Sequence, residues 1–136
     1  MSTTLQTDES LLAAFEEGTL APADFHHRDH VHVAWILLGR APLLEAIARY
    51  SAGLRGFAAR VGKPELYHET ITWAYLLLIQ ERRNRGSEEA RTSFEAFAAA
   101  YPELLTWQPS VLANYYRAET LASGLARQIF LMPDRL

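Results

Sequence analysis

Four of the five histidines lie within residues 26–32, in the segment FHHRDHVH (residues 25–32). The fifth, His68, lies in the segment YHET (residues 67–70). Histidine is a frequent metal ligand and the usual acid or base near neutral pH. Each segment stands directly before a strongly apolar stretch, where a loop turns into a helix. The two segments therefore predict a histidine-lined pocket if the fold brings them together.

The spacing of the histidines suits a metal site. At about 100° per residue, His27 and His30 are separated by about 60° and share one face of a helix. With His68 they supply three imidazole nitrogens, which together with water suit zinc and also fit iron or nickel. We predict that these three residues bind one divalent metal. His32 lies nearly opposite and His26 neighbours His30, so the contribution of either residue stays open.

A carboxylate and several aromatic side chains complete the candidate site. Glu69 follows His68 and is a candidate catalytic base or a residue that orients a ligand. The commoner role of such a residue is a first-turn carboxylate that interacts favourably with the helix dipole. Tyr115, Tyr116 and Trp73 are predicted to contact a substrate, since functional pockets are largely apolar with a few convergent polar groups.

Two functions fit this set of residues. One is a metal-dependent enzyme that acts on a small molecule through metal-bound water. The alternative is a non-catalytic helical module that binds a small ligand or a partner, with histidines that only cap helices. Two stronger metal motifs are incomplete: residues 68–72 lack the second histidine of His-Glu-x-x-His, and the Glu65-x-x-His68 spacing has no second copy, as a di-iron bundle requires.

The hydrophobic pattern predicts an all-α, compact single-domain bundle of about five to six helices over residues 1–136, with residues 1–7 as a flexible N-terminus. Gly18 ends the first helix, Pro42 opens the third and Gly86 ends the fourth. The last helical region spans residues 110–131, with a break near Arg117 or at residues 123–124. The third helix carries a stripe of apolar residues: Leu43, Leu44, Ile47, Tyr50, Leu54, Phe57 and Val61.

Two of the predicted helices are apolar on nearly every side, over residues 31–38 and 71–79, which is typical of helices at the centre of a bundle. One helix with tight turns at both ends connects them. Consecutive helices joined in this way run antiparallel, so the two central helices run parallel and their N-termini lie at one end. His27 and His30 open the first of them and His68 opens the second. The predicted topology alone therefore brings the three histidines together.

Composition narrows the class of protein. The chain has no cysteine, which excludes disulfides, zinc–thiolate sites and thiol nucleophiles. Its net charge is −3, and no broad basic surface is available for nucleic acid. No signal peptide or membrane span is recognisable. We expect a cytoplasmic protein whose partner is a small molecule, not a nucleic acid or a membrane, and homo-oligomers stay open. A structural ion pair between Arg127 and Asp134 is a further expectation.

Several short motifs together cover most of the chain. They are Phe25-x-His27-x-x-His30, Tyr67-His68-Glu69-Thr70-x-Thr72, Tyr115-Tyr116, Ala126-Arg127 and Pro133-Asp134. In this combination, from about Asp8 to Asp134, the chain resembles a family of small uncharacterised bacterial all-helical proteins. It departs from them at Arg117, where a small polar capping residue is expected after the tyrosine pair. The resemblance implies the helical fold but no activity, because the family has no assigned reaction.

Overall fold

The computed structural model describes residues 7–135. In this part of the chain there are eight α-helices, five of them of seven residues or more, and no strand, which confirms the predicted all-α bundle. The α-helices are α1 (Asp8–Glu17), α2 (His27–Arg40), α3 (Leu43–Arg60), α4 (Glu69–Arg85), α5 (Glu88–Thr92), α6 (Phe94–Ala100), α7 (Ala118–Leu121) and α8 (Gly124–Gln128). Short 3₁₀ helices span Pro22–Asp24, Pro64–Leu66, Pro102–Leu105 and Val111–Asn114.

The helix ends predicted at Gly18, Pro42 and Gly86 are confirmed. Thr7 caps α1 by accepting a hydrogen bond from the backbone of Ser10, and Gly18 ends that helix in the left-handed conformation with φ 78°. Pro42 is the N-cap of α3, and Gly86 follows the last residue of α4. The predicted flexible segment 1–7 otherwise lies outside the described residues.

Helices α2 and α4 pack together at the centre and run parallel, as predicted. Their first residues, His27 of α2 and the N-cap His68 of α4, line one cavity. At the other end, a Cβ on Gly39 of α2 would lie 2.3 Å from Nη2 of Arg83 in α4. Both ends of the two helices therefore correspond, which is possible only for a parallel pair. None of the helices within residues 7–135 is long and apolar enough to span a bilayer.

Helix α3 connects α2 to α4 along the chain and packs one of its faces against these two helices. Ala46, Ile47 and Tyr50 of the predicted stripe region are buried. Leu44 is 79% exposed, so its assignment to the stripe is wrong. The buried face of α3 follows Leu43, Ala46, Ile47 and Tyr50, and Leu44 lies off that face, about 100° around the helix from Leu43.

The C-terminal region is broken, as its polar residues predict. Ser123 caps α8, and a second break falls at Arg117, whose backbone N–H donates to Oδ1 of Asp134 at 2.9 Å. The Asp134 carboxylate thus accepts from the N–H of the N-cap residue, while Arg117 supplies no side-chain cap to the first turn of α7. The predicted ion pair between Arg127 and Asp134 is wrong, because Nη1 of Arg127 donates instead to the carbonyl of Glu65 at 2.7 Å.

Two glycines of α3 offer a matched test of the packing between α1 and α3. A Cβ on Gly53 would lie 2.2 Å from the ring of buried Phe15, whereas a Cβ on Gly56 would meet nothing within 4 Å. We expect Gly53→Ala to lower the free energy of unfolding by about 1–3 kcal/mol through overpacking. Gly56→Ala should raise it by about 0.5–1 kcal/mol, because alanine is the better helix former.

Urea denaturation followed by circular dichroism measures both changes. If Gly53→Ala proved as stable as Gly56→Ala, the close approach of α1 to α3 would be refuted.

Candidate functional site

A cavity of about 510 Å³ lies where the N-terminal ends of α2 and α4 meet α3. Its walls are mostly apolar and aromatic, including Leu54 and Phe57 of α3 and Tyr75 of α4. Trp107, from the segment between α6 and α7, closes one side. The polar side chains that line it are His27, His30, Tyr50, Tyr67, His68, Thr72 and Arg127. The predicted convergence of the three histidines is therefore present in the fold.

Among the three histidines that line the cavity, His30 is the one for which neither ring nitrogen has a hydrogen-bond partner within residues 7–135. The imidazole stacks on Phe25 with ring centroids 4.0 Å apart and planes 17° apart. Within residues 7–135 it forms no side-chain hydrogen bond, yet neither ring nitrogen is among the fully buried atoms that lack a partner. Its nitrogens are therefore reachable from the cavity. Burial, and secondarily the nearby His27, lower the pKa of His30 to about 4, so the ring is neutral at pH 7.

His27 is already engaged in a structural contact. Its Nε2 lies 2.8 Å from the carbonyl oxygen of Leu104 and must donate, because a carbonyl only accepts. The ring also packs against Tyr75 and Trp107, with centroids 5.1 Å away in each case. Burial lowers the pKa of His27, against the opposing effect of the Leu104 carbonyl. This imidazole ties α2 to the 3₁₀ helix Pro102–Leu105.

His68 uses both of its ring nitrogens. Nδ1 accepts from the backbone N–H of Ile71 at 3.1 Å, which caps α4. Nε2 donates to the carbonyl of Leu121 at 2.7 Å, which fixes the neutral Nε2–H tautomer. The residue is 7% exposed, and burial is the main cause that lowers its pKa. Coordinating a metal would require His68 to give up one of these two hydrogen bonds.

The metal prediction gains no support from these contacts. Both ring nitrogens of His68 are committed to backbone groups, whereas His27 keeps the lone pair of Nδ1 and His30 keeps both nitrogens uncommitted. In the described part of the chain, no group of three His, Asp or Glu side chains is arranged to hold a common ion. Zinc, iron or nickel at this site stays a prediction from the sequence.

Glu69 is not part of the cavity lining, but it contacts Tyr67, which is. The Tyr67 hydroxyl donates to Oε1 of Glu69 at 2.6 Å and accepts from the Ser51 hydroxyl at 2.8 Å. The guanidinium of Arg55 covers the tyrosine ring at 4.0 Å from its centroid and lies 3.4 Å from Glu69. Burial and the Glu69 carboxylate raise the pKa of Tyr67. Glu69 thus positions a wall of the cavity, and its role as catalytic base stays a prediction.

The three predicted substrate contacts lie outside the cavity lining. Tyr116 is 2% exposed and donates its hydroxyl to the carbonyl of Leu131 at 2.7 Å. Trp73 stacks on Phe130, with ring centroids 5.6 Å apart. Tyr115 packs against the core and accepts backbone hydrogen bonds from residues 134 and 135. The side chains of Trp73 and Tyr116 and the backbone carbonyl of Tyr115 thus hold the C-terminal segment in place instead of lining the pocket.

The two remaining histidines also lie outside the cavity lining. His26 is exposed, and its backbone N–H donates to Asp29 in the first turn of α2. His32 lies 2.9 Å from Oδ1 of Asp8 and stacks on Phe94 with centroids 4.0 Å apart. This agrees with the opposite helical face predicted for His32.

Several cavity residues were missed by sequence reasoning. Leu54, Phe57 and Tyr50 belong to the predicted apolar stripe of α3. Because α3 connects two parallel helices, its later turns lie beside the N-terminal ends of α2 and α4, so the stripe could have identified these three residues. Tyr75 follows Thr72 at helical spacing and shares its face. Trp107 comes from an irregular segment without periodicity, which offers no comparable signal.

No protein-family model, curated protein or solved structure matches this chain. The resemblance to small bacterial proteins stays a prediction from the motifs. The geometry of the cavity itself must therefore carry any functional argument.

The depressed pKa of His30 predicts how stability depends on pH. An unfolded histidine titrates near 6.5, whereas the pKa of folded His30 is about 4. Between these values the unfolded state binds more protons, so the free energy of unfolding falls as the pH drops from about 6.5 to about 4. His30→Asn should reduce the slope by at most about 1.4 kcal/mol per pH unit, the value for one proton.

Urea titrations at a series of pH values measure this slope, and the imidazole resonances in NMR report the pKa directly. A His30 resonance that titrates at pH 6.5 or above would contradict the buried, neutral ring.

The two hydrogen bonds of His68 predict a purely structural phenotype. His68→Ala removes the cap of α4 and leaves the Leu121 carbonyl unpaired, and we expect a loss of about 2–4 kcal/mol. His68→Asn keeps an acceptor for the Ile71 N–H and should recover about 1 kcal/mol. Thermal and urea unfolding of all three proteins, with EDTA and with zinc, measure these differences. Equal losses in both variants, together with zinc stabilisation of the wild type alone, would favour the metal site instead.

Proposed function

We propose that the cavity binds a small organic molecule with a largely apolar body, and that the neutral imidazole of His30 forms its central hydrogen bond. The observation that carries this proposal is the state of His30. It is a desolvated imidazole that lines the cavity and has no hydrogen-bond partner within residues 7–135. Its ring nitrogens are accessible from the cavity, so they can pair with a ligand without breaking a hydrogen bond of the protein.

The dimensions and chemistry of the cavity support binding. Its volume of about 510 Å³ lies within the range of about 300–1,000 Å³ that is usual for small-molecule sites. The hydroxyl groups of its tyrosines are already committed: Tyr50 donates to the His30 carbonyl, and Tyr75 pairs with Ser110. Apolar walls with a single uncommitted imidazole favour a ligand with few polar atoms.

The same contacts favour a binding module over the metal-dependent enzyme predicted from the sequence. An open metal site needs three protein ligands with free lone pairs. Of the three candidates, His68 has no free lone pair, because its Nδ1 accepts from the Ile71 N–H while its Nε2 donates to the Leu121 carbonyl. His27 keeps only the Nδ1 lone pair. A neutral His30 can instead donate from one nitrogen and accept at the other, which matches an amide, an alcohol or an acid.

A probe with one amide and one aromatic ring tests the proposal. We expect 4-phenylbutanamide to shift the amide NMR resonances of residues 27–31, 50–58 and 107. His30→Phe keeps the stacking on Phe25 but removes both nitrogens, and should weaken binding about 3–10-fold, the value of one hydrogen bond. Butanamide, which lacks the ring, should bind more weakly still, because it buries less apolar surface.

The control variant is His26→Gln, which alters an exposed histidine in the same segment and should leave the affinity unchanged. Calorimetric titration with zinc chloride serves as the opposing experiment. Stoichiometric zinc binding that is lost in both His30→Ala and His68→Ala would overturn the proposal in favour of a metal centre. Failure of 4-phenylbutanamide to shift any cavity resonance would also count against it.

A further inference from the structure

One charged side chain lines the cavity, and it is a cation. Arg127 of α8 reaches the cavity from an exposed position, and its Nη1 donates to the carbonyl of Glu65 at 2.7 Å. That hydrogen bond holds the guanidinium at the rim, beside the 3₁₀ helix Pro64–Leu66. Arg127 and His68 line the same cavity, and after burial, the dominant cause, the positive charge of Arg127 also lowers the pKa of His68.

No carboxylate neutralises this charge. The residues that line the cavity include no Asp or Glu, and among the described residues Arg127 forms no ion pair. The neighbouring Glu69 is committed to Tyr67 and Arg55. Since arginine stays protonated in proteins and carries five N–H donors, the single bond to Glu65 leaves four donors for another acceptor.

We infer that the ligand of this cavity is an amphipathic monocarboxylic acid: its carboxylate pairs with Arg127, and its largely apolar body fills the aromatic interior and presents one polar group to His30. This inference rests on the proposed function and names its ligand class. The planar guanidinium matches a carboxylate in geometry and charge. One cation suits a monoanion, whereas a phosphate dianion would need further positive groups, and the lining contains no lysine and no second arginine.

The apolar walls of the cavity determine the kind of body that such an acid can have. Leu66 and Trp107, both more than 40% exposed, flank the opening. Phe57, Leu54 and Tyr75 lie on the lining with them. A phenyl ring or a medium-length alkyl chain can be buried against these groups while its carboxylate stays at the partly hydrated rim. That arrangement avoids taking the anion fully out of water, which is costly.

Two matched pairs of probes test the inference by calorimetry: 4-phenylbutyrate against 4-phenylbutanamide, and octanoate against octanamide. In each pair we expect the acid to bind at least tenfold more tightly than the amide at low salt. The advantage should shrink at 0.5 M NaCl, because the pair with Arg127 is partly exposed and salt screens it. Comparing the two pairs also shows whether an aromatic or an aliphatic body is preferred.

Substitutions at Arg127 locate the effect. Arg127→Gln retains a donor for the Glu65 carbonyl but loses the charge, so it should reduce the affinity for the acids to that for the amides and leave the amides unchanged. Arg127→Lys keeps the charge and should retain part of the advantage. Arg85→Gln makes the same change of charge at the opposite end of α4, where the side chain is 79% exposed, and should have no effect. Unfolding curves of the three variants establish that each is folded.

The possible failures are distinguishable. Equal binding of acid and amide to the wild type would overturn the acid class and leave the proposed binding function in place. An acid preference that survives in Arg127→Gln would also overturn the role of Arg127. If none of the four probes binds, both the inference and the proposed function fail.

Discussion

The parallel alignment of α2 and α4 is the constraint on which the site depends. Only a connection that returns the chain over its full length can place both helix starts at one end. Helix α3, with 18 residues, rises about 27 Å, which is enough to return the chain along the about 21 Å of α2 with 14 residues. A shorter α3 would leave the start of α4 part-way along α2. The cavity between them is therefore a consequence of helix length before any histidine contributes a contact.

Polar groups at the start of α4 serve the backbone of the C-terminal segment. His68, Thr70 and Thr72 are the buried polar residues among those described. His68 donates to the Leu121 carbonyl, and Thr70 donates to the Ile129 carbonyl while it accepts from the N–H of Leu131. Irregular chain has no internal partners for its N–H and C=O groups, and burial makes such partners obligatory. His68 and Thr70 of the Tyr-His-Glu-Thr-x-Thr motif therefore fasten the C-terminal segment to α4.

Helix boundaries, the parallel central pair and the meeting of the histidines were predictable because each depends on local rules. Helix-ending residues such as Gly18 and Gly86 act within a few residues of themselves, and a helix that is apolar on all sides must be surrounded. The hydrogen-bond partner of a histidine is different. Leu104 and Leu121 lie 77 and 53 residues away from His27 and His68. Spacing can place an imidazole on a face, but it cannot show that a distant carbonyl has already taken its N–H.

His30 differs from His27 and His68 in that an apolar neighbour, not a hydrogen bond, holds its ring. Phe25 covers one face of its ring, which restrains the imidazole through apolar contact and leaves its polar edge uncommitted. The charge of the site is kept apart from this neutral interior, on Arg127 at the rim. A chain that buried the arginine beside His30 would have to desolvate a full charge without a partner. Separating the two lets the interior select an apolar body and the rim select a charge, and each requirement can then be altered without disturbing the other.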